Sequence, residues 1–117
     1  MIAEYLLPVN KEIVDFKNKL SPLSIGKAIS VYDSNISSLN DIDIAIIGLS
    51  ECRKSNEKNV EYLDVNSFRK EFYSLYYGDW KVNIVDMGDL INGESTSDTY
   101  FALKALNEIL LNNNIIT

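Results

Sequence analysis

The segment Ile42–Leu49 reads IDIAIIGL, a short and nearly continuous run of β-branched and small apolar residues closed by Gly48. A strand with one wet face alternates apolar and polar residues, whereas a strand buried on both faces of a parallel sheet has no need to. This one segment therefore directs the chain towards an α/β architecture in which helices cover a sheet. The residues after it supply the other parts. Val65, Phe68, Phe72, Leu75 and Tyr76 recur at helical spacing behind Asp64 or Asn66 as N-cap, and Gly78-Asp79 is expected to end that helix. Lys81–Asp86, KVNIVD, predicts a second strand that leaves through a tight turn at Met87-Gly88-Asp89. Ser95 with Asp98 three residues on resembles a capping box. Behind it Ala102, Leu103, Leu106, Ile109 and Leu110 form one apolar helix face, closed by Asn112-Asn113-Asn114. Ile115-Ile116-Thr117 reads as a strand that has only begun.

Strand, helix, strand, helix, strand over residues 41–117 implies right-handed parallel crossovers. Strands usually run about five or six residues, so the sheet is expected to be incomplete at the C-terminal end. Residues 1–40 read as an N-terminal helix and an extended arm. Ile13, Phe16 and Leu20 keep helical spacing behind Asn10, Ser21-Pro22 stops the helix, and Leu23 to Tyr32 alternates only in part, as a short strand or extended segment would. Asp33 to Asn40, rich in Ser and Asn, reads as the linker into the main unit.

Composition narrows the chemistry. The 117 residues are 46% apolar and carry a net charge of −6, which argues against a surface that tracks nucleic-acid phosphates or docks on an anionic membrane. No apolar run approaches the roughly eighteen residues of a spanning helix. The single cysteine, Cys52, cannot close an intrachain disulfide, and the opening residues lack the basic head of a secretory signal, so the cytoplasm is the expected location. The sequence contains no histidine, which removes most histidine-based metal and triad mechanisms from this chain.

In open α/β sheets ligands gather beyond the carboxyl ends of the strands. The polar loop Ser50–Lys58 lies there, with Glu51, Arg53 and Asn56 as candidate contacts to a small charged substrate, or alternatively as an ordinary solvated connection. Cys52 lies beside Arg53 and Lys54, which favour a thiolate, but the sequence holds no histidine to act as its general base. Asp86 and Asp89 flank a glycine at the second strand end; such a pair can hold a divalent cation, but more often it caps a turn and pairs with an arginine. Asp41 and Asp43 precede their strand and are expected at the wrong end for chemistry. Neither GxxxxGK[ST] nor GxGxxG occurs. The aromatic run Phe72, Tyr73, Tyr76, Tyr77 and Trp80 is read as core and packing surface rather than a base-stacking platform.

Taken in order, a strand ending Ile-Gly-Leu, the helix start Ser67-Phe68-Arg69, the run Val85-Asp86-Met87-Gly88-Asp89 and Gly93-Glu94-Ser95-Thr96-Ser97-Asp98-Thr99 resemble the N-terminal half of the arginase, agmatinase and formimidoylglutamase family of ureohydrolases, closest to the formimidoylglutamase-like branch. The resemblance covers residues 42–117 and implies a three-layer α/β/α sandwich with a mostly parallel sheet, here partial. It implies hydrolysis of a guanidino or formimino C–N bond by hydroxide bridging two manganese ions. The family holds those ions through a Gly-Gly-Asp-His type motif, an Asp-x-His-x-Asp motif and an Asp-x-Asp motif, none of which can be assigned in this sequence. The chain is thus expected to be a leading part of a longer enzyme, with the remainder of that chain as partner and no catalytic or metal-ligating residue of its own. A small guanidino or formimino compound would be the parent's substrate, and a homo-oligomer is compatible with the reading.

Gly48, Arg69, Asp86, Gly88 and Asp89 match family positions that look structural, and Arg69 is expected to pair with Asp86 or Asp89. The family's proline after the first strand is Ser50 here, and its Gly-Pro before the arginine-bearing helix is Val65-Asn66. The alternative reading is a free-standing small α/β binding module whose contact loop is Glu51–Lys58.

Overall fold

The computed structural model describes residues 2–32, 39–53 and 64–117. Its centre is the parallel pair β3 (Ile44–Gly48) and β4 (Ile84–Leu90), joined in the register Ile44 to Ile84, Ala45 to Val85 and Ile46 to Asp86. The opposite edge of β4 is shared by two short strands near the N-terminus. Strand β2 (Ser30–Val31) runs parallel beside Val85 and Asp86, and β1 (Leu6–Leu7) runs antiparallel beside Asp89 and Leu90. Outside β3, Ile116 bridges to Ile44 in parallel, with the Ala45 amide donating to the Ile116 carbonyl at 2.8 Å. The result is a mixed α/β fold around a four-stranded open sheet.

Each helix begins on a side chain that accepts an otherwise orphaned amide hydrogen. Asn10 caps α1 (Lys11–Asn18), Ser24 caps α2 (Ile25–Ala28), Asp64 caps α3 (Val65–Tyr73) and Ser95 caps α4 (Thr96–Asn112). Two apolar clusters follow from the alternation of β4. Val85, Met87 and Leu90 point with Ala45 into a cluster closed by Leu106 and Leu110 of α4 and by Ile115. Ile84 lies against the other cluster, built from Val9, Ile13 and Ile29 with Tyr73 of α3. Helix α4 thus packs on one face of the sheet and α1 to α3 on the other.

Three expectations are revised by the structure. The second strand is Ile84–Leu90, so Met87-Gly88-Asp89 continues the strand instead of turning out of it. The glycine signal has a different cause. Between the pairs Ile46 to Asp86 and Gly48 to Asp89 the register shifts by one residue, which is a β-bulge on β4. Gly88 takes φ +90 there, and a Cβ on it would lie 2.1 Å from the Leu7 carbonyl oxygen of β1.

Leu23 to Tyr32 contains the short helix α2 before β2, rather than one extended piece. Finally, α3 stops at Tyr73 with Ser74 as C-cap, before Gly78, and of its expected apolar face Phe68, Leu75 and Tyr76 turn outward while Phe72 packs partly buried against the second cluster. Phe68 is 62% exposed and Tyr76 70%, as is Trp80, while the buried residues of α3 are Arg69 and Tyr73. The sheet presents the carboxylate of Asp86 to this helix, so the inward stripe carries donors where periodicity alone predicts phenylalanine and leucine.

Candidate functional site

The bulge on β4 decides what gathers at the carboxyl ends of the parallel pair. Strict alternation would send Asp86 and Asp89 to opposite faces, whereas one extra residue between them returns both to the face under α3. Arg69, on the inward stripe of α3, meets both. Its Nε donates to Asp86 Oδ2 at 2.8 Å, its Nη2 to Asp86 Oδ1 at 3.0 Å and its Nη1 to Asp89 Oδ1 at 2.6 Å. Asn66, one turn earlier on α3, accepts from the same Nη1 at 3.1 Å.

Tyr73, four residues after Arg69, donates its hydroxyl to Asp86 Oδ2, and the Gly88 amide donates to Asp86 Oδ1 at 3.0 Å. Arg69 is 2% exposed and Asp86 is fully buried. Gly48 leaves the room this pairing occupies, because a Cβ on it would fall 2.0 Å from Asp89 Oδ1 and 3.1 Å from Arg69 Nη2. Gly48, Arg69, Asp86, Gly88 and Asp89 are therefore one physical cluster.

Burial works against the charge on Arg69, but hydrogen bonds and Coulombic attraction to Asp86, then to Asp89, outweigh it and raise its pKa. The Tyr73 phenol is pushed up by burial first and by the adjacent Asp86 charge second, so it stays protonated and remains a donor.

A second cluster joins the loop after β3 to the start of α4. Arg53 forks onto the Glu51 carboxylate, with Nε donating to Oε2 at 2.9 Å, and its other nitrogens reach the Gly93 carbonyl at 2.8 Å and the Glu94 carbonyl at 2.9 Å. The buried Thr99 hydroxyl donates to Glu51 Oε1 at 2.8 Å and accepts from the Gly93 amide at 2.9 Å. Hydrogen bonds from the Arg53 side chain and backbone hold the Glu51 carboxyl at about 2, below its ordinary 4.5, against the upward pull of burial. Glu51 in turn raises the Arg53 pKa through the same hydrogen bonds.

The two substrate-loop candidates that the structure describes thus engage each other and the first turn of α4, whereas Asn56 lies outside the described residues. Tyr73 and Thr99 complete the clusters without having been singled out for them. The signal for Tyr73 was its spacing from Arg69, which sets both on one helix stripe. Thr99 carried none beyond its place in the Ser/Thr-rich helix start. Asp43 lies at the amino end of the sheet, as expected, where its Oδ2 accepts from the Asn83 amide at 2.8 Å.

These donor sets do not fit a manganese pair. A carboxylate has about four lone-pair positions, and Asp86 uses its own on Arg69 Nε and Nη2, the Tyr73 hydroxyl and the Gly88 amide. A dication at Asp86 and Asp89 would have to displace a buried guanidinium. Among the described residues no group of three or more His, Cys, Asp or Glu side chains is placed to hold a metal ion. What the two clusters do is fix loop and helix positions at the strand ends. No described helix is long and apolar enough to cross a membrane. Comparison of the chain with protein-family models, curated proteins and solved structures returns no match.

Proposed function

We propose that the chain is the leading scaffold of a ureohydrolase-like enzyme, an arginase-type α/β/α domain that hydrolyses a guanidino or formimino C–N bond. In this reading the chain supplies sheet, helices and one wall of the site, and the hydrolytic manganese pair is held by parts of the parent that carry the family's histidine and aspartate motifs. One observation carries the proposal. Five residues that carry the sequence resemblance, Gly48, Arg69, Asp86, Gly88 and Asp89, meet in a single cluster at the carboxyl ends of two parallel strands, although the first and last are forty-one residues apart in sequence. Residues scattered at random through a fold have no reason to converge on one arginine. Helices on both faces of the sheet and the bridge from Ile116 to Ile44 support the same architecture. A cytoplasmic location belongs to this reading.

The purified chain is expected to release neither urea nor formamide in the presence of manganese, while the protein translated from the reading frame continued past Thr117 is expected to release one of them. Release by this chain alone would overturn the assignment of the metal site to other parts of the parent. A stop codon directly after Thr117 would overturn the scaffold reading itself and favour a free-standing binding module. The exposed Phe68, Leu75, Tyr76 and Trp80 suit that second reading as a contact surface.

A further inference from the structure

The clasp around Glu51 encloses a chemically labile peptide link. Asn92-Gly93 is the one Asn-Gly pair in the sequence, and it lies between β4 and the start of α4. In such a pair the glycine nitrogen can close on the asparagine side-chain carbonyl, because no Cβ on the following residue hinders its approach. Asn92 is exposed, and among the described residues no hydrogen bond holds its side chain. The fold also fixes the glycine in place. A Cβ at position 93 would fall 2.5 Å from Asp98 Cβ and 3.1 Å from the Thr99 nitrogen, so the first turn of α4 leaves room for no other residue. What restrains the link is the clasp itself. The Gly93 amide donates to the buried Thr99 hydroxyl at 2.9 Å, and the Gly93 carbonyl accepts from Arg53 Nη2 at 2.8 Å.

We propose that Asn92 is a site of spontaneous deamidation, which the clasp of Arg53, Glu51 and Thr99 holds off in the folded chain. In the reaction the Gly93 nitrogen loses its proton and bonds to Asn92 Cγ, the Cγ–Nδ2 bond breaks, and Nδ2 takes up a proton and leaves as ammonia. The product is a cyclic succinimide. Water then opens the ring at either carbonyl, giving aspartate or isoaspartate, and neither oxidant nor enzyme is needed. While the Gly93 amide hydrogen is committed to Thr99 Oγ1, the nitrogen is not free to turn onto Asn92 Cγ. The isoaspartate route carries the main chain through the former side chain and lengthens it by one atom directly before Gly93. That displaces Gly93 from Thr99 and Arg53 together, so the change runs one way and undoes its own restraint. This inference stands apart from the proposed hydrolase scaffold, since it needs only groups of this chain and water.

Peptide mapping of aspartate and isoaspartate at position 92 over time, at mildly alkaline pH, tests the proposal with the unaltered chain in buffer and in urea. The folded chain is expected to deamidate at least about tenfold more slowly than the unfolded one, because the link reacts only when the clasp opens. Thr99→Val removes the acceptor of the Gly93 amide, and Arg53→Met, at a half-exposed side chain, removes the donor to the Gly93 carbonyl. Either variant, once circular dichroism shows it folded, should react about three- to tenfold faster than the folded parent, as the loss of a hydrogen bond implies. Tyr73→Phe weakens the other cluster and leaves the clasp whole, so its rate should stay within about twofold of the parent's. A folded parent that deamidates as fast as the chain in urea would overturn the proposal. So would a position 92 that stays asparagine even in urea, or a Tyr73→Phe chain that reacts as fast as the clasp variants, which would make global unfolding the route.

Discussion

Asp86 has its hydrogen-bonding capacity filled by three different parts of the chain, the guanidinium of Arg69, the phenol of Tyr73 and the amide of Gly88. A buried carboxylate is tolerated only when its charge and lone pairs are met in this way. Glu51 is the other buried acid, and its partners make a direct statement about pH. Its folded value of about 2 lies below the ordinary 4.5, so the unfolded state binds a proton first as the solution is acidified. The contribution of Glu51 is therefore complete above 4.5 and is lost progressively as pH falls towards 2. Urea midpoints followed across that window are expected to drop more steeply for the unaltered chain than for Glu51→Gln. Equal slopes would mean that the fork from Arg53 does not persist in solution.

At the scale of elements, α3 shows how far periodicity carries. Its start was legible, because Asp64 accepts from the Asn66 and Ser67 amides as an N-cap should. The strand Ile44–Gly48 and the capped start and inward face of α4 were legible for the same local reasons, apolar run and capping side chain. The face that α3 buries was not. Hydrophobic spacing pointed at Phe68, Leu75 and Tyr76, but the surface beneath the helix is set by Asp86 on a strand seventeen residues away, which no local pattern encodes.

Strand β1 escaped for a different reason, since it is two residues long and too short to alternate, while β2 lies within the segment read as a short strand or extended piece. The bulge was visible only as a glycine between two aspartates, which reads equally well as a turn. In the candidate site, the pairing of Arg69 with an aspartate was readable from residue type and order, whereas its capture of both Asp86 and Asp89 depends on the bulge. Substitutions on α3 check its orientation. Tyr73→Phe is expected to cost about 1.5–3 kcal/mol, by removing a hydrogen bond to a buried charge. Phe68→Ser should cost under about 1 kcal/mol, because it is exposed and loses only its stacking on Phe72. The reverse order, read from chemical denaturation, would place the apolar stripe inward after all.

For the whole molecule, β4 is the member on which the other three strands and helices α3 and α4 meet. It pairs with β1, β2 and β3, offers Val85, Met87 and Leu90 to α4, and offers Asp86 and Asp89 to α3. Residues near the N-terminus share a sheet with residues near position 90, so the fold is held by contacts distant in sequence. The Arg69 cluster and the Arg53 clasp lie at the same end of that sheet and tie α3 and α4 to it from either side. Such a frame suits a scaffold whose strand ends must keep their positions, and its stability should depend on the buried charges acting as a unit. A double-mutant cycle on Arg69 and Asp86, using Arg69→Met, Asp86→Asn and both together, measures that dependence through the unfolding free energy. Arg69→Met is expected to cost about 3–5 kcal/mol, because it leaves the buried Asp86 charge unpaired, and Asp86→Asn to cost less, because Arg69 keeps its pair with Asp89. The double variant is expected to cost less than their sum by about 0.5–3 kcal/mol, the range found for residues in direct contact. Costs that simply add would contradict the central role assigned to the cluster.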